Sequence, residues 1–374
     1  METISSSGVL TARHFKGLRN HKYSAEDNSI IARVVMRPFW DWILLKLPLW
    51  IAPNLLTFIG LLVNICSTYF LIVQCPQSYG QAIPWTYLIM SLSIFIHQTL
   101  DAVDGQQARR TGTSSPLGEL FDHGSDAYNC LLMILGACIA TQSGPQRITF
   151  YIVLISLFTF YSVHWKTFVT GKLEFGFADT TAGEWILIFL HLLTFFFGAE
   201  FWHLQLSFLQ PFFGMVSTGR CFQVLLLLCG MFTSFSNLYS IIIKNDKPTL
   251  AQTSVLQPII PFGVVVLMAL YSYTFAYEKL YLSNTSLYLM TFGTALAKVI
   301  CLLIVAHMSR TPLPYYDQIF LALAGLCINV RLELVNHDLA LLATFFCVTA
   351  SLVYYSVSVC SQLCKEFKIR CFTI

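Results

Sequence analysis

Five of the chain's nineteen Asp and Glu residues fall within 26 positions: Asp101, Asp104, Glu119, Asp122 and Asp126. Asp101 and Asp104 stand i,i+3 at the end of one apolar run, TYLIMSLSIFIHQTL, and Asp122 and Asp126 stand i,i+4 at the start of the next. Each pair therefore shares one helix face. The connecting GQQARRTGTSSPLG is short enough to make the two helices antiparallel neighbours, with the carboxylate pairs face to face. Ionised carboxylates at membrane depth each cost several kcal/mol unless paired or metal-bound, so four at one locus call for cations. An all-carboxylate set suits hard ions such as Mg²⁺ or Mn²⁺ and not Zn²⁺ or Cu²⁺, which want His or Cys. Four carboxylates could hold two divalent ions bridging a diphosphate, the arrangement of an in-line phosphoryl transfer. Gly105 and Gly118 leave room for a close approach to the backbone, and Arg109 offers a planar fork for phosphate.

The elements that position these residues belong to a membrane protein. Of 374 residues, 56% are in the AVILMFWYC class and 11% are charged, against about 25% charged in an ordinary soluble domain. A mean hydropathy of +0.66 and 15% aromatic residues exclude disorder. A formal charge of +3 is too balanced for a nucleic-acid binder. The twelve cysteines are scattered through apolar runs without a CxxC pair, which points to packing and not to a metal or redox centre. The first 28 residues contain no apolar core of a cleavable signal peptide.

Apolar runs of helix length predict an all-α polytopic protein with about ten spans. These lie near 53–75, 84–104, 117–141, 148–165, 185–204, 221–243, 258–275, 286–308, 316–332 and 338–362, the fifth and ninth being the least sharply bounded. The segment 207–216 reads as re-entrant. If the first loop side is cytoplasmic, that side collects seventeen Lys and Arg and the other four, with Lys298 inside a span. This bias places both termini and the acidic hairpin in the cytoplasm. Ahead of the first span, residues 29–50 put Arg33, Arg37 and Asp41 at successive i,i+4 positions, as in an amphipathic helix lying in the headgroup plane. The expected organisation is a cytoplasmic segment over 1–50 containing that helix, one transmembrane domain over 51–364, and a short cytoplasmic tail over 365–374.

The run Asp101-x2-Asp104-Gly105-x2-Ala108-Arg109-x8-Gly118-x3-Asp122-x3-Asp126 resembles the signature of the CDP-alcohol phosphotransferases at each of its eight fixed positions. HKYSAEDNS, LPLWIAPNLLTFIGLLVN, HWKTFVTGKLEFG and FGTALAKVICLLIVAHM extend the likeness to the eukaryotic choline/ethanolamine phosphotransferases, with the choline or dual-specificity branch nearer. The resemblance implies transfer of phosphocholine or phosphoethanolamine from CDP-choline or CDP-ethanolamine to diacylglycerol, releasing CMP. It implies Asp101, Asp104, Asp122 and Asp126 as ligands of Mg²⁺ or Mn²⁺, two ions in all, and Gly105, Ala108, Arg109 and Gly118 as the shapers of the CDP site. Asn54, within APNLLT, either reaches the nucleotide or caps a helix beside Pro53. A homodimer in the endoplasmic reticulum membrane, or alternatively the Golgi membrane, is implied as well.

The attacking alcohol must lose its proton to a group within hydrogen-bond reach. His123 and Asp126 are the catalytic candidates. His123 is preferred, because a metal-bound carboxylate is a weakened base and a neutral imidazole suits neutral pH. Glu119, four residues before His123, could orient its ring. His97, one turn before Asp101, and Lys298 and His307, in the eighth span, read first as hydrogen-bonded bundle residues. Two other classes fit the composition: an aspartate-rich intramembrane prenyltransferase, and a cation transporter with a mid-membrane acidic site. The Gly-x2-Ala-Arg insert and the eight-residue spacer speak against the first, and Arg109 and Arg110 beside the carboxylates against the second.

Overall fold

The computed structural model describes residues 8–21, 25–26, 31–174, 180–207, 210, 214–243 and 251–374. Among them are twelve α-helices: α1 (Ala12–Arg19), α2 (Arg37–Lys46), α3 (Pro53–Gln74), α4 (Pro84–Thr111), α5 (Pro116–Ala140), α6 (Arg147–Thr170), α7 (Thr180–Phe197), α8 (Thr218–Ile243), α9 (Ile259–Phe275), α10 (Thr285–Ser309), α11 (Ile319–Leu332) and α12 (His337–Phe367). A two-residue parallel ladder, Ala25–Glu26 with Leu173–Glu174, is the only sheet among the described residues. Helices α3 to α12 fall on the ten expected spans. Six of them, α3, α6, α7, α8, α10 and α12, are long and apolar enough to cross a membrane; α9 and α11 are shorter apolar helices. The two others, α4 and α5, are of spanning length and carry the acidic cluster.

Local chemistry sets the boundaries. Pro53, Pro84 and Pro116 open α3, α4 and α5, where a missing N–H costs nothing and the fixed φ favours the helix. Helix α7 stops at Phe197, short of the expected 204, because Gly198 takes φ 73° and the chain continues as a 3₁₀ turn over Ala199–His203. Helix α11 is 14 residues, about 21 Å long, against a hydrocarbon core of about 30 Å. Its start is withdrawn because Asp317, just before it, turns into the bundle to meet Lys298 Nζ at 2.6 Å.

Helix α10 is the central pillar. Every residue of it except Leu287 is buried, as expected of a helix apolar on all sides. Helices α5, α6 and α12 pack around it, while α3, α4 and α7 form the adjoining layer. At one end of the bundle α1 lies against α10, Leu10 N donates to Gln362 Oε1 at 3.0 Å, and Arg19 pairs with Glu366. The α4–α5 turn is at this end. At the other, Gly144 N donates to Ser78 O and Ser286 N to Pro76 O, each at 2.9 Å.

The expected interfacial helix is a π-helical turn, Ile31–Met36, continued by α2; residues 29–30 lie outside the described residues. Ala32, Met36 and Trp40 pack on Leu56 and Val103, whereas Val34, Val35, Trp42, Leu45, Leu49 and Trp50 are exposed. An apolar outer face of this kind suits a headgroup-depth location. Five residues of the expected re-entrant segment, 208–209 and 211–213, lie outside the described residues.

Candidate active site

Gly112, in the left-handed region at φ 68°, ends α4, and Ser115 Oγ accepts from Gly118 N at 3.3 Å to cap α5. The resulting four-residue turn forces α4 and α5 to run antiparallel. The end of α4 also ties down the exit of α2. Arg110 Nη1 donates to Leu44 O at 2.6 Å and to Leu47 O at 3.0 Å, and Gln107 Nε2 donates to Pro48 O at 3.0 Å and to Ile51 O at 3.1 Å.

Asp101, Asp122 and Asp126 each present a carboxylate oxygen within 4.8 Å of the others. Asp101 Oδ1 and Asp122 Oδ1 are buried and receive no hydrogen bond from any of the described residues. Three converging carboxylates, two of them with a buried oxygen that receives no donor from the described residues, fit a hard divalent cation. Asp104 stands apart from this trio: Thr57 of α3 donates to its Oδ2. The four expected ligands thus comprise a convergent three and a fourth anchored from a neighbouring helix.

A buried polar chain runs inward from the trio. His97 Nε2 lies 3.7 Å from Asp126 Oδ1 and 3.7 Å from Glu184 Oε1. Asn129 Nδ2 donates to His97 Nδ1 at 3.3 Å and Asn64 Nδ2 to Asn129 Oδ1 at 3.2 Å. The amide donor at Nδ1 leaves the ring proton on Nε2, directed at the two carboxylates. Gly60 makes this possible: a Cβ there would sit 3.2 Å from His97 Nδ1 and 3.3 Å from its Cα. His97 is therefore a bundle histidine and a site residue at once. His123 Nε2 is 3.8 Å from Asp122 Oδ2, its ring 5.4 Å from that of His164. Glu119 is engaged by His21, whose Nε2 is 2.8 Å from Glu119 Oε2.

All these groups except Asn64, Asn129, Thr57 and Gly60 line one cavity of about 1760 Å³. Asn54, Gly105, Ala108, Arg109 and Gly118 line it too. Ala52 occupies the N-cap of α3, so capping is not the role of Asn54. A Cβ at Gly105 would meet Arg109 Nη1 at 3.5 Å and one at Gly118 would meet Asn54 Oδ1 at 3.7 Å. Both glycines leave space in front of polar groups. Lys298 lies elsewhere, bonded to Asp317 and to Ser351 Oγ at 2.8 Å.

The sequence reading missed several lining residues. Arg33 and Arg37 come from the interfacial element, Glu184 from α7, His164 from α6, and Arg370 and Cys371 from the segment after α12. For the first two a signal existed, an i,i+4 arginine pair; Glu184 lies in an ordinary helix start, and nothing in its local pattern marks it.

Residues 50–234 match the CDP-alcohol phosphatidyltransferase family model. Cholinephosphotransferase 1 of Xenopus laevis is 35% identical over 371 residues, covering 98% of this chain and 90% of that protein. The Homo sapiens cholinephosphotransferase 1 is 35% identical over 373 residues with the same coverage. An uncharacterized CDP-alcohol phosphatidyltransferase class-I family protein of Dictyostelium discoideum is 29% identical over 371 residues, 98% of this chain and 96% of its own. With the acidic hairpin, the helical membrane bundle and this near-complete alignment together, the chain belongs to the CDP-alcohol phosphatidyltransferase family and is a membrane-bound phosphotransferase of phospholipid synthesis.

Proposed function

We propose that the protein transfers phosphocholine from CDP-choline to diacylglycerol, with CDP-ethanolamine as the alternative donor, yielding the phospholipid and CMP. The observation that carries this is the trio Asp101, Asp122 and Asp126, which pairs with no Lys or Arg among the described residues, in a cavity also lined by Arg33, Arg37 and Arg109. Fixed carboxylates facing arginines suit a metal-bound diphosphate; a cation pathway would not be lined by arginines. The names of the relatives favour choline.

In this reading Asp101, Asp122 and Asp126, with Asp104 beside them, hold Mg²⁺ or Mn²⁺, two ions in the full site. When bound, such ions neutralise charge on the diphosphate and on the leaving phosphate. Arg109 grips a phosphate, while Asn54, Gly105, Ala108 and Gly118 shape the nucleotide end. The diacylglycerol oxygen attacks the headgroup-bearing phosphorus, the bond to the CMP phosphate breaks, and the hydroxyl proton passes to His123 Nε2, with Asp126 as the other acceptor. Glu184, held by Gln98 Nε2 at 2.8 Å, offers an anion to the headgroup ammonium. The charge bias of the loops supports a site facing the cytoplasm, with both termini on that side, in the endoplasmic reticulum membrane or the Golgi membrane, and the family supports a homodimer.

The test supplies purified protein with diacylglycerol, labelled CDP-choline or CDP-ethanolamine, and Mg²⁺ or Mn²⁺. Labelled lipid from at least one donor is expected, and none from either overturns the reading. Accumulation of labelled polyprenyl product from a prenyl diphosphate would favour the prenyltransferase instead.

A further inference from the structure

The N-terminal segment lies ahead of residues 50–234, the stretch that the family model matches, and it is strapped across the end of the bundle that carries the α4–α5 turn. Leu10 N is tied to Gln362 and Arg19 to Glu366, both on α12, and Leu18 is fully buried. Between these ties α1 meets α10 backbone to backbone. A Cβ on Gly17 would overlap the carbonyl group of Ser309, the last residue of α10. The atoms in the way belong to a packed main chain, which does not swing aside as a long side chain does, so only glycine lets α1 seat there. Beyond Gly17 the helix closes in a turn: Asn20 N donates to Gly17 O at 3.0 Å and His21 N to Leu18 O at 3.3 Å. That turn delivers His21 to the wall of the cavity.

His21 grips Glu119 there. Its Nε2 stands 2.8 Å from Glu119 Oε2 and 3.0 Å from Oε1, so one N–H spans both oxygens. A carboxylate only accepts, which places the ring proton on Nε2. The ring of His307, near the end of α10, meets the His21 ring edge-on with centroids 5.9 Å apart and braces it from behind. The two side chains of the pair are 10% and 13% exposed, so water competes little for the bond. Glu119 is in the first turn of α5, next to Gly118 and four residues before His123, and all of them line the cavity. Residues four apart share a helix face. A glutamate side chain is flexible, and it orients a neighbour only if something fixes it in turn.

We propose that His21 is a positioning residue for the transfer: it clamps Glu119 on the face of α5 that carries His123, so a strap outside the matched stretch completes the wall of the active site. The effect on turnover rests on the reading of His123 as the acceptor of the hydroxyl proton; the clamp itself does not. His21 acts through Glu119. With Glu119 held, the ring of His123 is confined to the orientation that reaches the attacking hydroxyl. With Glu119 released, both side chains sample other rotamers and fewer encounters are productive. The donor is gripped by other groups, Arg109 and Asn54 among them, so the loss falls on kcat and spares KM.

The full-length chain in lipid nanodiscs, with Mg²⁺, diacylglycerol and CDP-choline, tests the kinetic part. His21→Ala should lower kcat about tenfold and leave the KM for CDP-choline within about twofold of the parent. His21→Gln, whose amide can still donate to the carboxylate, should recover most of that loss. Gly17→Val, which lifts α1 off Ser309 with His21 intact, should lose kcat to a similar extent. On a Glu119→Ala background, His21→Ala should cost less than about twofold more, because its one target is gone. Amide exchange over residues 12–21 reads the clamp without any turnover: it should quicken about fivefold in His21→Ala and in Glu119→Ala alike, and no further in the double variant. Parent-like kcat in His21→Ala overturns the positioning role, and so does an undiminished effect on the Glu119→Ala background. A loss that His21→Gln does not recover, with a lowered melting temperature, reduces His21 to a packing residue and overturns it too. Exchange in α1 that ignores Glu119→Ala overturns the clamp. A parent that transfers from neither donor but shows the coupled exchange overturns the proposed function and supports the clamp, so the two failures are distinct.

Discussion

Two of the clusters of buried charge among the described residues are built in opposite ways. Around α10 and α12, Lys298 meets Asp317 at 2.6 Å and Ser351 at 2.8 Å, with the Tyr355 ring 5.8 Å away. One cation, one anion and a hydroxyl close on each other. Around α4 and α5, three carboxylates converge, two of their oxygens receive no hydrogen bond from the protein, and a large cavity opens in front of them. Desolvation penalises both arrangements. Among the described residues only the first is balanced, so the second calls for a cation from elsewhere. A buried charge by itself says little about function; an imbalance that the fold holds in place says a great deal.

This contrast can be broken by substitution, and the largest effect belongs to the unbalanced cluster. Asp122→Asn should lower transfer from CDP-choline by about a thousandfold or more, as expected for loss of a metal ligand that serves the transition state. The same variant should melt higher than the parent in excess chelator, because one of three crowded like charges is gone. A lower melting temperature in chelator would show that the trio is stabilised from within the protein. In the parent, chelation should abolish transfer, and Mg²⁺ or Mn²⁺ should restore it.

His123→Ala should reduce turnover by about a hundredfold at saturating metal, within the usual range for a general base, with the metal concentration for half-maximal activity unchanged. Asp126→Asn should raise that concentration. Near-normal turnover of His123→Ala would move the base to Asp126.

The balanced cluster should answer in stability and not in chemistry. Lys298→Met strands a buried carboxylate and should cost about 3–5 kcal/mol of stability, read from the denaturation midpoint. Adding Asp317→Leu should recover most of that loss, with turnover per folded molecule close to the parent in the double variant. If the double variant folds and loses transfer, the pair belongs to the site after all.

The smallest effect tests the polar chain behind the trio. Gly60→Ala forces His97 to shift by a few tenths of an ångström, and misplacement of a group two contacts from the chemistry should lower turnover about fivefold with little change in melting temperature.

Much of this was legible in the sequence because its signals are local. Helix positions follow from apolar runs, prolines at N1 and left-handed stops, and the ten helices from α3 to α12 lie where those signals put them. The facing of Asp101 toward Asp122 and Asp126 follows from i,i+3 and i,i+4 spacing across a short turn, and the eight-residue signature carried the family. What the sequence left open comes from residues far apart in the chain. The division of Asp104 from the other three depends on Thr57, 47 positions earlier. The tautomer of His97 depends on Asn129 and on the absent side chain of Gly60, and the partner of Glu119 is His21, 98 positions away. Glu184 and Cys371 reach the cavity from elements with no local mark of function, and Arg33 and Arg37 from a helix whose i,i+4 spacing marks only a membrane interface. A local pattern fixes which face of a helix a residue occupies. Which other face it meets is decided by packing, and the physical reason is that burying each polar group requires a partner that only the assembled bundle supplies.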